Sequence, residues 1–309
     1  MSKILFVANV HQHFLDCHLP YIAWLTEQGH DVHVAAGGTE VVPFASRQFV
    51  LSIRRSPFRW QNIQAFFELK KLIATNGYDL VHCHTPMGGV LARLAARTFW
   101  NKGMLKVLYT AHGFYIYKGA PLPYWLLYFP AEKFLSRLTD GLITINQEDH
   151  AHAHQYRFRS REIFRINGIG IDHRRFSPIS DEEKTHYRRE YGFRETDFLL
   201  IYAAEFIPRK NHRFLIDSLP GLIREIPGLK LIFAGTGPII EELKAYATKA
   251  GVQDHIWFAG FRHDIDKLMS MSDCYIVYIL TDIPANFTLI CPRFVHRMST
   301  LRLCLTKSC

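Results

Sequence analysis

Two periodicities alternate along this 309-residue chain, and they do so twice. Short apolar runs rich in β-branched and aromatic residues are each followed by a longer segment of helical periodicity. In the first half the pattern predicts strands over residues 3–8, 31–36, 80–84, 106–110, 141–145 and 163–166. Helices are expected between them, over 19–28, 61–76, 89–99, 124–138 and 147–156. A polar, charge-rich stretch spans 172–196, after which the cycle restarts. Its strands are expected at 198–203, 229–234, 256–258 and 274–278, and its helices at 211–226, 238–250 and 264–271. Apolar strands separated by helices imply parallel sheets covered on both faces, so the expected fold class is α/β with two doubly wound domains.

Composition narrows the class further. At 48% hydrophobic residues, with 23 Phe and 14 Tyr, the chain carries far more apolar surface than a disordered or fibrous one. It has no run of about 18 apolar residues, so a spanning helix is not expected. The apolar run at 4–10 reads as a buried first strand rather than a leader. Charge is uneven: residues 1–180 hold 20 Lys and Arg against 12 Asp and Glu, within a net charge of +9 for the whole chain. Such an excess suits nucleic acid, an anionic membrane surface or a phosphorylated ligand. With no zinc-finger spacing and no basic-aromatic RNA motif, nucleic acid ranks last. None of the six cysteines forms a C-x-x-C pair, and Cys17 and Cys83 read as buried thiols of a reducing cytoplasm.

Ligands of doubly wound sheets bind beyond the carboxyl ends of the strands, which directs attention to the loops there. Gly235-Thr-Gly-Pro238 follows the run LKLIFA and is expected to open a helix at Pro238. Glycines there let backbone approach a ligand, and a helix N-terminus favours an anion; a purely structural turn explains them as well. Glu205-Phe-Ile-Pro-Arg-Lys-Asn211 follows another strand and brings Arg209 and Lys210 to a helix start, where cations neutralise a diphosphate. Together the two loops make a candidate nucleotide-diphosphate cradle.

Histidines mark the first half. His112 ends the strand at 106–110, with Gly113 giving backbone access, and suits a hydrogen bond to a sugar hydroxyl or phosphate. His82 and His84 alternate on a strand and share one face, but a metal site needs further ligands that spacing does not place. No metal is therefore expected. The aromatic stretch 121–130, flanked by Lys118 and Lys133, fits either a membrane interface or a buried helix start.

The blocks DLVHCHTPMGGVLARLAAR, VLYTAHGFYIYKGAP, EKFLSRLTDGLITINQED and NGIGID, then AAEFIPRKNHRFLIDSL, LIFAGTGP and FAGFRHDI, strongly resemble bacterial glycosyltransferases of family 4. The similarity is to the exopolysaccharide and capsule-forming group and covers about residues 3–278. It implies a GT-B fold, two Rossmann-like domains facing a cleft, and retaining transfer from a nucleotide-sugar such as a UDP-sugar. The implied acceptor is a saccharide or a lipid-linked one; no cofactor or essential metal is implied. Separately, the basic first half and the aromatic stretch 121–130 fit an acceptor carried on a polyprenyl diphosphate, with the enzyme cytoplasmic and peripheral on the anionic inner membrane face. By this resemblance Lys210 grips the donor diphosphate and His112 lies near the transferred sugar. Gly235 and Gly237 match the turn beside the donor, and Phe261 and Arg262 the base-binding loop. Asn167 and Gly168 match the domain junction, with His84 and Gly113 on the acceptor side. Glu205 stands where many relatives carry arginine, which puts that second diphosphate contact in doubt.

The resemblance breaks after Tyr278. The family continues with two glutamates in an E-x7-E pattern that hold the donor, whereas residues 279–309 contain no glutamate. The division expected is a first domain over 1–165, a linker over 166–196, an incomplete donor domain over 197–282 and an aberrant tail over 283–309, read as truncation or frameshift. Alternatives are an inactive remnant of such an enzyme and a UDP-sugar epimerase of the same fold.

Overall fold

The computed structural model describes residues 1–117, 120–170, 172–279 and 286–290. They form two compact units that divide between Gly170 and Ile171. The first unit runs β1 (Lys3–Val10), α1 (Gln12–Cys17), α2 (Leu19–Glu27), β2 (Asp31–Gly37), β3 (Arg47–Val50) and α3 (Gln61–Asn76), then β4 (Leu80–His84) and α4 (Pro86–Asn101). It is completed by β5 (Lys106–Ala111), α5 (Leu122–Leu135), β6 (Gly141–Thr144), α6 (Gln147–Gln155) and β7 (Glu162–Arg165). The second runs α7 (Asp181–Glu190), β8 (Phe198–Ala203), α8 (His212–Glu225), β9 (Leu229–Ala234), α9 (Ile240–Lys249), β10 (Ile256–Gly260), α10 (Ile265–Met271), β11 (Cys274–Ile279) and β12 (Asn286–Ile290).

The first sheet has the order β3-β2-β1-β4-β5-β6-β7, parallel throughout. Alternation along β1 explains why both of its faces are covered. Leu5 and Val7 enter one core, with α3 and α4 against it, while Ile4, Phe6 and Ala8 enter the other beside Phe14 and Ile22. Each such large side chain contributes about 1.5–3 kcal/mol by leaving water. The second sheet has the order β10-β9-β8-β11-β12 and divides the residues of β8 between two cores in the same way. Its last strand departs from the parallel pattern: β12 pairs antiparallel with β11.

Three elements escape the sequence pattern for physical reasons. β3 (RQFV) is a four-residue, half-exposed edge strand, too short to show an alternation. α1 is a turn and a half with only Phe14 buried. Residues 166–196, expected as a linker, contain α7, which belongs to the second unit. That helix is polar almost all round; a capping box between Ser180 and Glu183 and an ion-pair network hold it instead of an apolar stripe. A further correction concerns 238–250: the helix begins at Ile240, so Pro238 lies in the preceding turn. The tail expectation for 283–309 lies outside the described residues except for β12.

Candidate active site

In the first sheet the order reverses beside β1, between β1 and β4, and such a switch point opens a crevice at the carboxyl ends. The histidines gather there. His13 lies in α1 and His18 between α1 and α2, both directly after β1, while β4 ends at His84 and β5 is followed by His112. Nε2 of His112 lies 3.3 Å from Nε2 of His13 and 3.2 Å from Nε2 of His18. His82 and His84 share a face, as their alternation requires, with ring centroids 4.2 Å apart, and His82 Nε2 pairs with Thr110 Oγ1 at 2.9 Å. His84 is fully buried and stacks on Phe6. Neither of its ring nitrogens has a hydrogen-bond partner among the described residues. An unpaired buried group of this kind costs about 1–3 kcal/mol, so His84 calls for an explanation.

Burial, and then the neighbouring imidazoles, keep this group uncharged near neutral pH. It pushes His13 down to about 4, His82 to about 3 and His18 to about 2, and His84 lies well below its ordinary value. Burial alone lowers His112. These are therefore neutral rings, able to donate or accept one hydrogen bond per nitrogen.

The surrounding backbone is tightly set. Asn9 Oδ1 accepts from Thr85 Oγ1 at 2.9 Å and from the Gly88 amide at 2.8 Å, closing the turn after β4 onto β1. A Cβ on Gly88 would stand 3.0 Å from Ala8, and one on Gly89 would strike the Tyr109 ring at 2.5 Å. Asp149 Oδ2 accepts from the Phe114 amide at 3.1 Å and so ties the His112 loop to the start of α6. Gly113 has φ +125° and nothing within 4 Å of where its Cβ would be, leaving an open approach to its backbone. Asn167 and Gly168 fall in the loop after β7, three places along the sheet from β4, and are not part of the histidine group. His13 and His18 are the residues that spacing along the chain does not reveal. The signal that reaches them is the switch point, since it makes the loops after β1 and β4 neighbours.

In the second unit the loops after β8, β9 and β10 carry the remaining candidates. Lys210 ends a single 3₁₀ turn (Pro208–Lys210), and its carbonyl accepts from Tyr202 Oη at 2.9 Å. Its ammonium forms no ion pair among the described residues. His212, buried behind this turn, stacks on Phe206 and is pushed down to about 4 by burial and then by the Lys210 charge. Glu205 is exposed, and the side chain of Arg209 lies outside the described residues.

The glycines find their first reason within the protein. A Cβ on Gly235 would stand 2.1 Å from the Ala204 carbonyl oxygen, and one on Gly237 would stand 2.3 Å from that of Phe206. Gly235 and Gly237 thus let the loop after β9 lie directly on the loop after β8. Phe261 is 65% exposed, with its ring edge to face against that of His263. Arg262 is already engaged: it grips Asp264 through Nε at 2.8 Å and through a second nitrogen, and Tyr191 Oη donates to the same carboxylate. The Arg262 hydrogen bonds hold that carboxyl at about 2. The Arg262 guanidinium is thus balanced by Asp264 within the loop after β10.

Two Rossmann-like units, each with its candidate loops at the carboxyl ends of a parallel sheet, are the building blocks of the GT-B architecture. Family comparison agrees and is more specific. Residues 21–175 match the model of Glycosyltransferase Family 4, and residues 183–281 that of Glycosyl transferases group 1. A protein of Bacillus subtilis (strain 168), named as the glycosyltransferase EpsD, is 48% identical over 272 residues, covering 88% of this chain and 71% of that one. The UDP-Gal:alpha-D-GlcNAc-diphosphoundecaprenol alpha-1,3-galactosyltransferase of Escherichia coli is 24% identical over 232 residues, covering 74% and 59%. Among solved structures, HepE of Anabaena in complex with UDP and glucose superposes with a TM-score of 0.68 at 19% identity, covering 89% of this chain and 73% of that one. The chain belongs to the glycosyltransferases of family 4. Because both matching models are transferase models, the epimerase alternative has no support from them.

Proposed function

We propose that the chain transfers a sugar, with retention of anomeric configuration, from a UDP-sugar to a saccharide or polyprenyl-diphosphate-linked acceptor. The setting is exopolysaccharide, capsule or envelope polysaccharide assembly at the inner face of the cytoplasmic membrane, with no essential metal. The observation that carries this reading is the ordered match of both transferase models, at 48% identity to EpsD over most of the chain. The UDP bound in HepE and the lipid-linked acceptor in the name of the E. coli relative support the choice of donor and acceptor.

In this reaction Lys210 receives the charge developing on the departing diphosphate, and preformed charge of this kind stabilises a transition state without reorganisation. His112, neutral through burial, hydrogen-bonds a hydroxyl of the transferred sugar and fixes its position. The test is transfer of labelled sugar from a UDP-sugar panel to an undecaprenyl-diphosphate-linked saccharide. His112→Ala is expected to lower kcat by about 100-fold or more; an unchanged kcat would remove His112 from the site. If the folded chain binds UDP yet no panel member is transferred, the second reading holds, a donor-binding chain without turnover.

Membrane association has its own support. Among the described residues no helix is long and apolar enough to cross a membrane. Phe58, Trp60, Ile63 and Phe67 are exposed next to the exposed Arg54, Arg55 and Arg59, and α5 exposes Leu122 and Leu126. Lys133 does not serve as a lipid contact, because its ammonium donates to the Tyr156 and Arg157 carbonyls at the end of α6. Lys118 lies outside the described residues. We expect the protein to sediment with phosphatidylglycerol vesicles at low salt and to be released as salt rises past roughly physiological strength. Equal recovery with neutral and anionic vesicles would count against the proposal.

A further inference from the structure

Transfer as read above uses one histidine of the first unit, yet the same sheet edge gathers four. His13, His18, His84 and His112 come from three strand ends, and one ring nitrogen from each lies within 4.8 Å of all the others. In a tetrahedral site with metal–nitrogen bonds of about 2.0–2.1 Å, the ligand atoms stand about 3.3–3.4 Å apart. The Nε2 separations at His112, 3.3 and 3.2 Å, are of that size. Hydrogen bonding accounts for the trio only in part, because Nε2 of one neutral imidazole has a single proton or a single lone pair for two neighbours.

His84 is an independent observation. It is fully buried against Phe6, and neither nitrogen has a partner among the described residues, although the other three rings surround it. A cation among the four would satisfy it.

We propose that His13, His18, His84 and His112 form a tetrahedral binding site for a divalent transition-metal ion. Four neutral imidazoles in a tetrahedral arrangement suit Zn2+ and offer none of the oxygens that Mg2+ and Ca2+ require. Nε2 of His112 then faces the ion and is withdrawn from the sugar, so occupancy inhibits transfer. That consequence rests on the role of His112 under Proposed function; the site itself does not.

The test uses the untagged full chain, stripped with a chelator and dialysed. Titration with ZnCl2 is expected to show one ion per chain, and Co2+ loading the visible absorption of four-coordinate cobalt. His84→Ala and His13→Ala should each weaken Zn2+ binding by more than about tenfold. Because His13 is only half-buried, its variant keeps the test sound if the His84 variant fails to fold. Absence of stoichiometric binding, a six-coordinate cobalt spectrum, or parental affinity in His13→Ala would overturn the site. Transfer is measured separately, with and without one equivalent of Zn2+. Inhibition reversed by chelator confirms the consequence. Stoichiometric zinc with undiminished transfer overturns it and locates the error in the role given to His112, not in the site.

Discussion

Lys210→Ala is expected to raise the Kd for UDP and for UDP-sugars by about 10- to 100-fold, the cost of one charge-assisted hydrogen bond to a diphosphate. The side chain stands on a backbone fixed from both sides. Tyr202 Oη holds the Lys210 carbonyl, and Asn211 takes a left-handed conformation (φ +49°) that turns the chain into α8. Arg262 cannot take over, because Asp264 already balances its charge. Lys210→Arg should recover part of the affinity, since it keeps a cation at the same strand end. Isothermal titration with UDP is the measurement, and UDP affinity equal in the parent and in Lys210→Ala would take the residue out of the donor site.

Asp273→Ala has a comparable effect on stability, expected at about 3–5 kcal/mol within the second unit. Asp273 Oδ2 accepts from Arg188 Nη2 at 2.6 Å and from the Leu199 amide at 2.8 Å, while Oδ1 accepts from Lys184 Nζ at 2.8 Å. Arg188, almost fully buried, also donates to the carbonyls of Met271, Glu195 and Asp197. Removing the carboxylate leaves a buried guanidinium without its counter-charge, which is why truncating one partner costs more than the pair contributes net. A chain of two units has no single unfolding free energy, so the readout is hydrogen exchange of amides in α7 and β8. Faster exchange confined to the second unit is expected. Unaltered protection there would show that α7 is held by something other than this network.

The sheets were legible because their strands are uninterrupted apolar runs, so most strands fall within a residue or two of where the pattern places them. β3 and α7 were not, for opposite reasons. β3 is too short and exposed to carry a pattern, and α7 carries polar residues whose stability comes from Ser180, Glu183, Lys184 and Arg188 acting on distant partners. The site shows the same division. Lys210, Gly235 and His112 can be found as single residues at strand ends. His13 and His18 acquire meaning only once β1 and β4 are known to be neighbours, because seventeen histidines spread through a sequence give no reason to choose these two. The glycines of G-T-G-P suit a backbone approach to a ligand by their type alone, whereas the backbone that lies against them here is the protein's own.

That last contact has a mechanical consequence. The Phe206 amide donates to the Thr236 carbonyl at 2.9 Å, and the Gly235 amide to the Gly260 carbonyl at 2.8 Å. With no side chain to separate them, the loops after β8, β9 and β10 are laced into one continuous lip. A displacement imposed at the Lys210 turn is transmitted through Phe206 to Thr236, and from Gly235 to the Phe261 loop. Substitutions in one loop will therefore alter the compliance of all three, and adapting this lip to a different ligand calls for coordinated changes along its whole length.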